Sequence, residues 1–199
     1  MTTQAASATI LDRATGQSSL ATPVKVASVA LAVAVTAAAA QVSFPLPFTD
    51  VPFVLTPMAV ILTGAALGSR LGALAQMSYL LLGALGLQVF APDLRLPQGI
   101  LRLVGPTGGY LIAYPLAAFL TGWLSERGWD RRYLTSLAAM LVGLATIYVG
   151  GIAWRLILLG SLDVVVATSV APFLIPDVLK AAAAALILPG AWRLLGARP

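Results

Sequence analysis

The chain has 199 residues, of which 59% are hydrophobic and only 10% are charged, and its formal net charge is +5. A soluble domain carries roughly 25% charged residues, so this composition predicts that lipid surrounds most of the chain. Cysteine and histidine are both absent. Their absence excludes disulfides, Cys or His metal sites, and catalysis by a nucleophilic cysteine or a histidine base.

The basic excess contains no Lys/Arg-rich run, so we interpret it as a set of anchors at the cytoplasmic membrane face and not as a nucleic-acid site. We recognise no paired-acid motif of the kind that acid–base enzymes use. The sequence therefore predicts a membrane protein that is not an enzyme, with no metal and no cofactor.

Residues 1–22 are polar and small, and they predict a disordered cytoplasmic N-terminal tail. Residues 23–199 are predicted to form one transmembrane domain, because a spanning helix needs about 20 mostly apolar residues and charged residues delimit six such stretches. The predicted spans are 24–43, 53–69, 72–90, 105–125, 133–157 and 174–194. The fold class is therefore an all-α membrane protein with a bundle of six transmembrane helices.

Basic residues predict the orientation of this bundle, because Lys and Arg are enriched in cytoplasmic loops. An even number of spans puts both termini on one side. With both termini cytoplasmic, the basic residues inside are Arg13, Lys25, Arg70, Arg127, Arg131, Arg132, Arg193 and Arg198. Those on the outer side are Arg95, Arg102, Arg155 and Lys180. The larger set favours cytoplasmic termini.

Small residues spaced by four occur twice, at Ala30, Ala34 and Ala38, and at Gly64, Gly68 and Gly72. Faces of this kind let membrane helices approach one another closely. The alternative for the alanines is that Ala is simply common in membrane helices.

One pair of charged residues in the last span is a candidate binding site, because ionisable side chains are costly inside a membrane. Asp177 and Lys180 are three residues apart, which places them on one helix face, and Pro176 is expected to open this helix. The ammonium would meet a ligand's carboxylate, and Asp177 would accept from N–H groups. The loop 91–104 adds Arg102 on the same outer side. Alternatively, Asp177 complements the helix dipole and Lys180 snorkels to the interface.

The sequence GPTGGY, residues 105–110, opens the fourth predicted span. Gly108 and Gly109 allow the backbone to approach a ligand or another helix, and Tyr110 offers a flat apolar face with a polar tip. The alternative is a tight helix entry with Tyr110 as an interfacial anchor.

Four blocks of the sequence are similar to the BioY family, the biotin-binding S components of energy-coupling-factor (ECF) transporters. The blocks are DVPFVLTPMAVILTGAALGSRLGAL (50–74), YLLLGALGLQVFA (79–91), GPTGGYLIAYPLAAFLTGWL (105–124) and APFLIPDVLKAAAAALI (171–187). The resemblance covers about residues 24–195. It implies a bacterial inner-membrane protein that captures biotin at the outer face. The residues that match the family's binding motifs are Thr107, Gly108, Gly109, Tyr110, Asp177 and Lys180.

The resemblance also implies partners, which are a transmembrane coupling subunit and two cytosolic ATPases. Ala30 and Ala34 match the alanine pattern that meets the coupling subunit in this family. The chain has no P-loop, so it cannot hydrolyse ATP by that route. Two alternative functions stay open: an S component for another vitamin, and an ion-coupled transporter that uses Asp163 or Asp177 as a relay. A homo-oligomer is a further option for the assembly.

Overall fold

The computed structural model describes residues 9–15, 22–93 and 95–194, which are helical apart from loops and one small hairpin. The helices are α1 (Ile10–Thr15), α2 (Thr22–Gln41), α3 (Thr56–Leu67), α4 (Ser69–Ala84), α5 (Leu101–Val104), α6 (Gly108–Ser125), α7 (Tyr133–Leu159), α8 (Leu162–Ser169) and α9 (Ala171–Leu194), with a short 3-10 helix at Trp129–Arg131. Strands β1 (Ser43–Phe44) and β2 (Phe53–Val54) pair antiparallel between α2 and α3.

Each predicted span overlaps one of the helices α2, α3, α4, α6, α7 and α9. Three of them, α2, α7 and α9, are long and apolar enough to cross a membrane, with 20, 27 and 24 residues. At about 1.5 Å per residue these helices reach or exceed the roughly 30 Å of a bilayer's hydrocarbon core. Helix α3 is apolar but has only 12 residues.

The predicted N-terminal tail contains the short helix α1. Residues 1–8 and 16–21 of that tail lie outside the described part of the chain, and Thr22 already belongs to α2. The side chain of Arg13 and the whole of Arg198, both assigned above to the cytoplasmic side, are also outside it.

Large apolar side chains point outward along the three long helices. Leu31 in α2 is 66% exposed, Val149 in α7 is 68% exposed and Leu186 in α9 is 64% exposed. An apolar surface of this extent is costly in water but matches the acyl chains of a bilayer. The chain is a multi-pass membrane protein.

Helix α6 packs against α3, α4 and α7 and lies at the centre of the bundle. Glycines set how closely α3 and α4 approach it. A Cβ atom on Gly64 would lie 2.6 Å from the carbonyl oxygen of Ala118, and one on Gly122 would lie 2.5 Å from the amide nitrogen of Ser69. Real Cβ atoms do not come this close, so these contacts require glycine, as in other small-residue membrane interfaces.

A buried polar cluster joins α2 to α3 and α4. The side-chain amide of Gln76 donates to the hydroxyls of Thr36 at 3.1 Å and Thr63 at 3.2 Å. Each threonine in turn donates to a carbonyl of its own helix. In lipid, buried polar groups must satisfy one another, so this cluster fixes which face of α2 turns inward.

Helix α9 begins at Ala171, so the expectation that Pro176 opens this helix is wrong. Helix α8 ends at Ser169 and α9 follows almost directly, which places Pro176 inside the helix. Proline removes one backbone hydrogen bond. Membrane helices tolerate this loss where neighbouring helices, Ser/Thr side chains or local adjustments of the helix satisfy the freed carbonyl.

The 3-10 helix is attached to the far end of α9 by a buried carboxyl group. The indole nitrogen of Trp192 donates to Asp130 at 2.6 Å, and the side chain of Asp130 is fully buried. Burial raises the pKa of Asp130 from its usual 3.8 to about 6, while the hydrogen bond from Trp192 opposes this shift. The folded protein therefore holds this proton more tightly than the unfolded chain does.

Asp130→Asn is expected to remove a pH dependence of stability. Because the folded-state pKa is raised, ionised Asp130 destabilises the fold above pH 6, and protonation relieves this as the pH falls towards 4. The relief is worth roughly 3 kcal/mol at most. Thermal unfolding in detergent at about pH 7.5 and about pH 4.5 checks it, since the advantage of Asp130→Asn should shrink at the lower pH. An equal difference at both pH values would contradict a raised pKa.

Candidate functional site

A cavity opens at the end of the bundle where α2 ends and α3 and α6 begin. The segments that meet there are residues 42–55, 85–93 and 95–107, which include the β1–β2 hairpin and α5. Residues 51–57 form one side of the cavity, and side chains of α4, α6, α7 and α9 form the others. On the orientation predicted from basic residues, this end faces outward.

Asp177 and Lys180 form an ion pair in the wall of this cavity. Lys180 Nζ lies 2.7 Å from Asp177 Oδ1, and the two residues are only 8% and 9% exposed. The hydroxyl of Tyr148 donates to the other carboxylate oxygen at 2.8 Å. The predicted proximity of the pair on one helix face is confirmed. Burying a charge is costly unless it is paired and hydrogen-bonded, and both of these charges are.

The β1–β2 hairpin covers the ion pair. Lys180 Nζ donates to the carbonyl oxygen of Val54 at 2.7 Å and lies 3.7 Å from the centroid of the Phe53 ring. Arg155, which is buried in α7, lies 3.9 Å from Asp50 at the hairpin tip. The β1–β2 hairpin with its connecting loop forms the roof of the cavity, and charged groups of α9 and α7 hold this roof in place.

Aromatic rings make up much of the remaining wall. Tyr79, Tyr110, Tyr114, Tyr148, Phe90 and Phe173 all line the cavity. The centroid of Tyr79 lies 5.5 Å from that of Phe90 and 6.5 Å from that of Tyr114. The hydroxyl of Tyr110 donates to the carbonyl oxygen of Ser169 at 3.0 Å, which fixes the ring. Flat apolar walls with a few polar groups are typical of sites for small ring-containing ligands.

Arg102 adds a second cation to the cavity. It is only 2% exposed, and it donates to the carbonyl oxygens of Ala91 at 2.6 Å and Pro97 at 3.3 Å. Burial lowers the pKa of its guanidinium, although Asp93 opposes this. Within the described ranges no carboxylate forms a salt bridge with Arg102. Its positive charge is therefore available to an anionic group.

Thr107 also lines the cavity, and its hydroxyl is buried with no hydrogen-bond partner among the residues that the structure describes. A buried hydroxyl without a partner is costly. A ligand atom at this position would remove that cost.

Gly108 and Gly109, two further candidates from the sequence, are not among the lining residues. A Cβ atom on Gly109 would clash with Trp154 and the carbonyl oxygen of Gly150, and one on Gly108 would clash with the carbonyl oxygen of Leu103. These glycines let the start of α6 approach α5 and α7. They hold the adjacent Thr107 and Tyr110 at the cavity.

Ala30 and Ala34 lie apart from the cavity, exposed on the outer side of α2. Leu31 between them is exposed as well. This face is free to contact lipid or another chain.

Tyr148 and Phe173 were not among the residues selected from the sequence. Tyr148 had a signal, because a tyrosine hydroxyl in the middle of an apolar span needs a buried partner. Phe173 had none, because nothing in the sequence distinguishes an aromatic residue that lines a cavity from one that packs in a core.

Comparison with known proteins identifies the family that this chain resembles. The model of the BioY family matches residues 12–197. A probable biotin transporter BioY of Pyrococcus horikoshii is 43% identical over 163 residues, which cover 82% of this chain and 93% of that protein. A biotin transporter BioY of Thermotoga maritima is 37% identical over 142 residues, which cover 71% of this chain and 81% of that protein.

A solved structure shares the fold. The S-component for biotin from an ECF-type ABC transporter superposes with a TM-score of 0.75 at 23% identity, covering 88% of this chain and 95% of that one. The proteins named here are transporters and not enzymes, as the sequence predicts for this chain. Because the family model matches almost the whole length of the chain, the chain belongs to the BioY family.

Proposed function

We propose that the chain is the substrate-capture S component of a biotin importer. The observation that carries this proposal is the buried Asp177–Lys180 pair beside Arg102 in a cavity walled by aromatic rings. Two cations and one carboxylate leave one positive charge for a ligand. Biotin carries one carboxylate and a ureido ring with two N–H donors. The names of the two relatives described above agree with biotin as the ligand.

Each polar end of biotin has a matching group in the cavity. Arg102 is the better partner for the ligand's carboxylate, because Lys180 is already neutralised by Asp177 whereas Arg102 donates to two carbonyl oxygens and forms no salt bridge among the described residues. Asp177 accepts from the ureido N–H groups, and Thr107 donates its unpartnered hydroxyl. The tyrosine and phenylalanine rings, including Tyr110, enclose the apolar bicycle and chain.

The proposed topology has six spans, formed by α2, α3, α4, α6, α7 and α9, in a bacterial inner membrane. Both termini are cytoplasmic, because most of the basic side chains that the structure describes lie at the end opposite the cavity. The cavity then faces the outside, where a vitamin arrives. The shorter helices α3 and α4 suit a bundle whose outer end is completed by the roof and loops.

Transport is proposed to require an ECF transmembrane coupling subunit and two cytosolic ATPases. Ala30 and Ala34 on α2 form the contact face for the coupling subunit. Two observations support this role: both alanines are exposed, and small residues allow close contact between membrane helices. The structural relative also comes from an ECF-type transporter.

Arg102→Gln is expected to weaken biotin binding about ten- to hundredfold, because it removes a hydrogen bond from a charged group to the ligand's carboxylate, worth roughly 1.5–3 kcal/mol. Lys180→Gln is expected to weaken binding as well, because it leaves the buried carboxylate of Asp177 without its cation. Gel filtration checks that this variant still folds. Arg193→Gln is the matched control, because Arg193 is exposed at the far end of the same helix as Lys180. Equilibrium binding of labelled biotin to detergent-purified protein measures the change.

The same assay separates the roles of the two cations. Wild type should prefer biotin over its uncharged amide, and Arg102→Gln should lose that preference. Unchanged affinity in both variants would move the site elsewhere. Displacement of the label by a different vitamin, or uptake that needs an ion gradient and no ATP, would contradict the biotin importer in favour of the two alternatives above.

Replacing Ala30 and Ala34 together by leucine should leave biotin binding unchanged and abolish uptake, because the larger side chains hold the coupling subunit away. Ala145→Leu is the control, since Ala145 is an exposed alanine in α7. Co-purification with the coupling subunit and vesicle uptake are the readouts. Full uptake by the double variant would contradict the assigned interface.

A further inference from the structure

A second recess, the basal groove, lies at the opposite end of the bundle from the cavity. Three basic side chains line it: Lys25 at the start of α2, Arg70 at the α3–α4 turn and Arg127 after α6. Helix α2 runs from this end to the β1–β2 hairpin through 20 residues, which is a rise of about 30 Å. The groove and the cavity are thus separated by about one hydrocarbon core.

Two carboxylates, Glu126 and Asp12, also line the basal groove, and both are engaged within the protein. Glu126 accepts from the amide nitrogen of Ser69 at 2.7 Å and from its hydroxyl at 2.9 Å, so it caps the start of α4. Asp12 accepts from the amide nitrogen and the hydroxyl of Thr9, both at 2.9 Å.

Neither Lys25 nor Arg70 has a carboxylate within 4.0 Å in the described part of the chain. Arg127 donates to the carbonyl oxygen of Trp123 at 2.8 Å and stacks 3.4 Å from the centroid of its ring. Among the described residues, the groove therefore carries three cations that form no salt bridge, against two carboxylates that are hydrogen-bonded to Thr9 and Ser69.

Aromatic side chains line the same groove on its membrane side. Trp123 is 40% exposed and Phe119 is 38% exposed, and both line the groove together with Leu71. Tryptophan near a span end is typical of the membrane–water interface. The basal groove thus combines basic side chains with an apolar edge that faces the lipid.

We propose that the basal groove binds the phosphate group of an anionic phospholipid. Lys25, Arg70 and Arg127 surround the phosphate, and one acyl chain lies along Trp123 and Phe119. Basic pockets beside membrane helices on the cytoplasmic side bind anionic headgroups. A free phosphate shares the headgroup chemistry but would leave the aromatic edge without a partner, so a lipid fits the groove better.

The test uses the full-length protein in detergent micelles and native mass spectrometry. Phosphatidylglycerol and phosphatidylcholine are added in turn, and inorganic phosphate is a separate arm. Wild type should retain phosphatidylglycerol in preference to phosphatidylcholine. Arg70→Gln with Arg127→Gln should weaken phosphatidylglycerol binding by about 25-fold, since each basic residue near a lipid surface is worth about 1 kcal/mol.

Arg132→Gln is the matched control, because Arg132 is an exposed arginine at the same end but outside the groove, and it should bind phosphatidylglycerol like wild type. Lys25→Gln is an independent variant in case the double variant unfolds, and it should weaken binding about fivefold. Circular dichroism and gel filtration check the fold.

Equal retention of both lipids, or equal loss in Arg132→Gln, would overturn the site. Displacement of phosphatidylglycerol by millimolar inorganic phosphate would overturn the lipid in favour of a free anion. Unchanged lipid binding in the double variant, combined with lost co-purification of a coupling subunit, would make the groove a protein interface.

Discussion

The structure depends on one constraint, which is that a charge buried among membrane helices needs a counter-ion or hydrogen-bond partners. Asp177 and Lys180 satisfy one another at 2.7 Å, and Tyr148 and the carbonyl oxygen of Val54 take up the remaining hydrogen bonds. These contacts bring α7, α9 and the β1–β2 hairpin together at one point. Removing one partner would leave an uncompensated charge, so the pair supports the fold and the cavity at once.

A second constraint sets the position of the cavity's other walls. Helix α6 lies in the middle of the bundle because glycines at its contacts with α3, α4 and α7 permit backbone-to-backbone packing. This central position places Thr107 and Tyr110 in the wall of the cavity that holds the ion pair. The polar cluster around Gln76 meanwhile holds α2 in a fixed rotation. That rotation leaves Ala30 and Ala34 on the outer surface.

The parts of this arrangement that could be predicted are local in sequence. Spacing by three predicts that Asp177 lies beside Lys180, and charge-free stretches located most helix ends to within about three residues. The exception is α4, which ends at Ala84 although its predicted span runs to residue 90. The remaining parts depend on contacts between distant segments. Tyr79, Tyr148 and Phe173 come from three different helices, so their convergence had no local signal. Gly108 and Gly109 were selected as ligand contacts, yet their space is filled by α5 and α7. The expectation that Pro176 opens the last helix was wrong because proline is tolerated inside membrane helices.

The measurement that tests the account most directly is saturation binding of labelled biotin to the purified wild-type protein in detergent. The account predicts saturable binding of one biotin per chain, displaced by unlabelled biotin and by no other vitamin. A correctly folded sample that binds no biotin would contradict the account.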